Sequence, residues 1–136
     1  MMQKNRIKYV FLNLVVLLLS STVLFSQNEL DSIVALGDDL ASLEDYREAN
    51  KTYDQALDKR EGYLPAILGK IDVLLMMDRY SRADKVGGNA IEKHPQNATL
   101  QMYMGKVLIE RSHFEDALGH LDMALSLADE TDSLLL

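Results

Sequence analysis

The stretch YREANKTYDQA at residues 46–56 returns 34 positions later as YSRADKVGGNA at 80–90, and after another 34 as FEDALGHLDMA at 114–124. Three columns stand out: Tyr46, Tyr80 and Phe114; Ala49, Ala83 and Ala117; Ala56, Ala90 and Ala124. Upstream, Leu40, Leu74 and Leu108 form a fourth column and Ile33 with Ile67 half of a fifth, with no gap or insertion. A period of this size marks a chain in which each unit is one supersecondary element stacked on the next.

Within a unit the apolar spacing is helical. Ile33, Leu36, Gly37 and Leu40 lie on one stripe of a first helix, as do Met104, Gly105 and Leu108; Ala49, Tyr53 and Ala56 lie on one stripe of a second, as do Ala117, Leu121 and Ala124. Small residues let two backbones approach, and a large side chain at Ala83 or Ala117 would overpack the contact at about 1–3 kcal/mol. The spacing predicts helices near 30–43, 45–60, 64–77, 79–94, 98–111 and 113–129. Pro65 suits a first helical turn and Pro95 a helix stop. The aromatic of each repeat stands where the second helix begins and is expected to plug the hairpin end. Gly87 stands where Tyr53 and Leu121 stand in their units, so the second unit is expected to be the soft one.

These residues resemble the tetratricopeptide repeat, whose pattern is W-x2-L-G-x2-Y, then A-x3-F, an Ala and a Pro. The first unit reads Ile33-x2-Leu36-Gly37-x2-Leu40, then Ala49-x3-Tyr53 and Ala56; the third reads Met104-Gly105-x2-Leu108, then Ala117-x3-Leu121 and Ala124. The second departs most, with Lys70-Ile71 in place of Leu-Gly, yet it alone carries the closing Pro95. Sel1-type repeats fit less well, being longer and richer in glycine. The resemblance implies an all-α, right-handed solenoid of three antiparallel helix-turn-helix units at 30–63, 64–97 and 98–131, with a short tail at 132–136. It also implies that the first helices line a concave groove for an extended peptide or a helix. Val34, Asp38, Leu68, Asp72, Met76, Met102, Lys106 and Ile109 would face that groove. The family's clamp for a terminal carboxylate needs cations there. Only Lys106 qualifies, and Asp38 and Asp72 carry the wrong sign.

The first 26 residues differ from the rest. Lys4, Arg6 and Lys8 give a basic start, an apolar stretch runs from Tyr9 to Leu19, and Ser20, Ser21 and Thr22 precede a run to Ser26. That is the layout of a secretion signal cleaved before Gln27, although Leu24 sits where a small residue is preferred. The other reading is an uncleaved anchor, since residues 7–25 are just long enough to span a bilayer. Either places the repeats outside the cytoplasm, in the periplasm or cell envelope, or secreted; the leader is similar to those of Bacteroidetes envelope proteins. Without the leader, 11 basic and 21 acidic residues remain, a net charge of −10 that repels nucleic acid and anionic lipid.

No catalytic constellation and no cofactor is expected. There is no cysteine, no phosphate loop and no nucleophile elbow. His113, Asp116 and His120 share a helix face and are candidate metal ligands, but that face lies opposite the Ala117 stripe and is expected to be convex and wet. Asn97-Ala98-Thr99 matches a glycosylation acceptor. The expected function is therefore an exported scaffold for protein–protein interaction. Its partner would be an apolar segment carrying basic residues, and membrane contact would come only through an uncleaved leader. The alternatives are a self-assembling structural subunit or a metal-binding protein. Self-assembly would run through a C-terminal stripe of Leu118, Leu121, Leu125 and Ala128, with Leu134, Leu135 and Leu136 beyond it. The stripe would be covered by a second copy, making a homodimer through the last unit, by a partner protein, or by the tail folded back over it.

Overall fold

A computed structural model describes the backbone of residues 2–133 and the side chains of residues 8–15 and 27–130. Among these residues there are six helices and no strand: α1 (Met2–Ser42), α2 (Tyr46–Lys59), α3 (Leu64–Met76), α4 (Tyr80–Lys93), α5 (Ala98–Glu110) and α6 (Phe114–Ser133). Residues 1–32 form one unit of the structure and residues 33–136 the other. Tyr9, Val10, Phe11 and Leu12 in the first are exposed. Among the described residues no helix is long and apolar enough to cross a membrane. The Leu24 and Ser26 side chains and the tail residues Leu134, Leu135 and Leu136 lie outside the described residues.

In the second unit each helix packs on its successor from α2 through α6, and α3 also meets α5. Connections of three or four residues make consecutive helices antiparallel neighbours. The helix ends follow from local chemistry. The Asp45 side chain caps α2 by accepting from the Glu48 amide at 3.3 Å. Asn97, read above as a glycosylation acceptor, caps α5 by accepting from the Leu100 amide at 2.8 Å. Pro65 stands in the first turn of α3, and α4 ends two residues before Pro95.

Inside each hairpin the chain turns on one left-handed residue: Glu44, Asp78 and Ser112, at φ 62°, 57° and 62°. The following amide then reaches back to the leucine of the repeat column, as Asp45 N–H to Leu40 O, Arg79 N–H to Leu74 O and His113 N–H to Leu108 O, at 2.9, 2.8 and 2.8 Å. This is the Schellman closure of a helix, made three times at 34-residue intervals. It explains the leucine column: the same residue packs inward and accepts the closing bond.

The core is built of small residues facing large ones. Ala49, Ala56, Ala66 and Ala83 are fully buried, with Ile71, Leu100 and Val107 between them. Tyr53 is wedged between two glycines of successive units. A Cβ on Gly37 would lie 2.6 Å from its ring, and one on Gly69 would lie 2.4 Å from it. Leu121 sits on Gly105 in the same manner, 2.5 Å from where a Cβ would be. Two expectations fail here. Phe114 is 64% exposed and plugs nothing, whereas its counterparts Tyr46 and Tyr80 are half-buried; no described helix packs over the α6 end of the hairpin. Leu36 is 54% exposed, because Gly37 beside it takes the contact with Tyr53.

Candidate functional site

The first helices of the repeats, α1 from residue 33 onward, α3 and α5, leave an open hollow of about 540 Å³. Val34, Asp38, Leu68, Asp72 and Met76 line it. An adjoining hollow of about 340 Å³ shares Asp72 and Met76 and adds Lys106 and Ile109. Seven of the eight residues expected to face a groove thus stand along two connected depressions. Met102, the eighth, lines neither and is 38% exposed.

Three tyrosines complete the larger hollow and were not among the expected residues: Tyr46, Tyr53 and Tyr103. Tyr53 belongs to a second helix, and its place on the Ala49 stripe identifies it only as core. Its hydroxyl nonetheless crosses to α1 and donates to Asp38 Oδ1 at 2.6 Å. Burial, then that hydrogen bond and the Asp38 charge, push the Tyr53 hydroxyl far above its usual acidity range. Tyr103 is shifted upward likewise, first by burial and then by the charge of Asp72 and a hydrogen bond to it. The register gave no signal for Tyr103, because its counterpart one repeat back is Gly69.

The charges of the groove are unbalanced. Among the described residues no Lys or Arg pairs with Asp38 or Asp72; ion pairs elsewhere join, for example, Lys51 to Glu48, Lys70 to Asp54, Lys93 to Glu61 and Arg111 to Asp84. Lys106, which continues the Asp38–Asp72 register, lies over the Tyr103 ring with Nζ 5.2 Å from its centroid.

The histidine face differs from expectation. His120 is not on a wet convex face: its Nδ1 lies 2.6 Å from Gln101 Oε1, and Gln101 is 5% exposed. Gln101 Nε2 donates to Pro95 O at 2.7 Å, which leaves its carbonyl to accept, so Nδ1 carries the proton. His120 thus ties α6 to Gln101 of α5, and through it to the loop before α5. His113 and Asp116 are exposed, and no group of three or more His, Asp or Glu side chains converges among the described residues.

The C-terminal stripe is narrower than expected. Leu118 and Leu125 are 59% and 64% exposed and Ala128 is exposed, but Leu121 is half-buried because it fills the space over Gly105. Phe114 takes its place: with Leu118 and Leu125 it falls within about 40° of arc on α6.

No family model and no curated protein matches the chain by sequence. Solved structures do. A MamA chain beginning at residue 41, from Desulfovibrio magneticus RS-1, superposes with a TM-score of 0.66 at 25% identity; the match covers 74% of this chain and 57% of that one. The second TPR of Spaghetti (RPAP3), bound to the HSP90 peptide SRMEEVD, gives 0.69 at 16% identity over 75% of this chain and 96% of that one. YrrB, described as a TPR protein with an unusual peptide-binding site, gives 0.64 at 24% identity over 71% and 50%. The chain therefore spans little more than half the length of the MamA chain it matches.

Proposed function

From the tetratricopeptide-repeat fold of this chain we infer a docking scaffold, not an enzyme, whose groove holds a segment of another protein. The observation that carries this is the pair of connected hollows along α1, α3 and α5, in which Leu68, Met76 and Ile109 offer apolar surface beside Asp38 and Asp72. Methionine adapts its shape to irregular partners. Neighbours of the same fold hold a peptide or have a peptide-binding site. With aspartates in the groove, the partner is an apolar segment carrying basic residues, and its free carboxylate is not needed. Residues 1–26 serve as an export leader, so the scaffold works in the cell envelope; mass spectrometry from the native host finding a chain that starts near Gln27 is the expected result. A photo-crosslinking residue at Met76 should capture a partner protein in cells, and one at the exposed Asp58 should not. Equal capture from both positions, or none from Met76, would sink the reading.

A second reading is favoured by one observation. Phe114, Leu118 and Leu125 together form an exposed apolar strip on α6. Self-association through that strip would make the chain a structural subunit. Light scattering over a dilution series, with Leu125→Glu beside the unaltered chain, separates the two. A concentration-dependent mass abolished by Leu125→Glu supports self-association, and a constant monomer mass rejects it.

A further inference from the structure

We propose that the hollow between Asp38 and Asp72 seats one arginine side chain of the bound segment, its guanidinium held by the two carboxylates and its plane laid against the Tyr103 ring. This rests on the docking reading and specifies its chemistry.

Four observations converge. The hollow, at about 540 Å³, is ample for a guanidinium and its stem, and both acidic and aromatic side chains line it. Tyr53 already donates to Asp38 Oδ1 at 2.6 Å. A carboxylate offers about four acceptor positions, so each keeps capacity for further donors. Among the described residues no cation of the chain pairs with either carboxylate. Finally, the chain itself brings a cation to one of these rings: Lys106 Nζ stands 5.2 Å from the Tyr103 centroid. A ring that attracts an ammonium from the adjoining hollow will attract a cation from the larger one as well. The raised Tyr53 and Tyr103 hydroxyls agree: burial is the larger cause, but the Asp38 and Asp72 charges add to it, and those charges are the field an incoming cation would meet.

Arginine fits this arrangement better than lysine for a geometric reason. Its planar group stacks on an aromatic face while its edge still presents N–H donors sideways to carboxylates. An ammonium must choose between the ring and the acids, as Lys106 does. The leucine and methionine walls, Leu68 and Met76, are suited to the aliphatic stem and to apolar neighbours of the arginine.

The test uses the full chain and two acetylated, amidated peptides, Ala-Leu-Arg-Leu-Ala and the same sequence with citrulline, which has the shape of arginine without its charge. Binding is followed by chemical-shift titration. The arginine peptide should bind about tenfold or more tightly than the citrulline peptide, a preference expected from a charge-assisted pair combined with a ring contact. Asp38→Asn and Asp72→Asn should each reduce that preference several-fold. Asparagine keeps the acceptor for Tyr53, so thermal melts should stay close to the parent. Asp39→Asn, which removes an equal charge from an exposed position outside the hollow, should leave the preference intact. Equal binding of both peptides, abolished by Leu68→Asp, would overturn the arginine seat while leaving the docking groove standing. A loss from Asp39→Asn as large as from Asp72→Asn would overturn it in favour of diffuse charge attraction. Binding of neither peptide overturns it as well, and capture from Met76 then reports on the groove independently.

Discussion

Met104 occupies the space that a side chain at residue 87 would take: a Cβ on Gly87 would lie 2.1 Å from Met104 Sδ and 3.4 Å from Ile71 Cδ1. The second repeat therefore has no void where the others carry Tyr53 and Leu121. The partner helix supplies the missing bulk, and Gly87 marks a close approach of α4 and α5.

Gly87→Leu, which installs the residue type of position 121, should destabilise the protein by about 1–3 kcal/mol through overpacking. Combined with Met104→Ala it should cost less than the two single changes added together, because each relieves the other. Gly88 has nothing within 4 Å of a Cβ, so Gly88→Ala should stabilise by about 0.5–1 kcal/mol through helix propensity alone. Urea denaturation of the four variants decides, and strict additivity of the pair would refute the packing account.

Asn50 Oδ1 is buried without a hydrogen-bond partner. Its counterpart one repeat on is Asp84, which pairs with Arg111 at the end of α5. The residue in the register of Arg111 is Met77, which cannot donate. Met77→Arg should therefore satisfy Asn50 and stabilise by about 0.5–1.5 kcal/mol. Loss of the gain when Asn50→Ala is added identifies the new bond as its cause; an equal gain in both backgrounds contradicts it.

Ser112 holds φ 62° with a Cβ to accommodate, and its side chain has no described partner. Ser112→Gly should raise stability by about 0.5–1 kcal/mol, the relief of left-handed strain outweighing the added freedom of the unfolded chain. Asp78→Gly should gain less, since Asp78 also accepts from the Tyr80 hydroxyl at 2.6 Å. The order of the two melting temperatures is the readout.

The pH dependence follows from Tyr53. Its folded-state hydroxyl is raised above the ordinary 10.0 by burial and by Asp38, so folding favours the protonated form. That contribution is complete below about pH 10 and is lost as pH climbs through the folded value. Stability should fall between about pH 10 and 12, and Tyr53→Phe should flatten the slope while costing about 0.5–1.5 kcal/mol at neutral pH. Tyr80, pushed up to about 12 by its bond to Asp78, makes that bond at the surface and should add little. Unfolding free energies measured at pH 8, 10 and 11.5 test this, and a slope unchanged by Tyr53→Phe would assign it elsewhere.

The repeat was legible because its signal is carried by residue type at fixed register. Ala49, Ala83 and Ala117 must be small in every unit, and each leucine of the 40, 74, 108 column must both pack and accept a backbone bond. What escaped is carried by pairs distant in sequence. Tyr53 reads as core from its own helix, and only the fold shows its hydroxyl arriving at Asp38. His120 reads as a surface residue until Gln101 is placed beneath it. The left-handed turn residues Glu44, Asp78 and Ser112 share a conformation but no side-chain chemistry, so no column of letters reveals them.

The wedging of Tyr53 between Gly37 and Gly69 also sets where the solenoid yields to mechanical load. A rigid ring packed against the backbone of two successive units leaves either little room to rotate past it. The corresponding joint further along is filled by the Met104 thioether, an unbranched chain with several soft torsions, which deforms at little cost. Pulled apart by its ends or pried open by a ligand, the array should therefore bend first between α4 and α5, the span from Asp38 to Asp72 keeping its width while the stretch beyond, toward Ile109, takes up the strain.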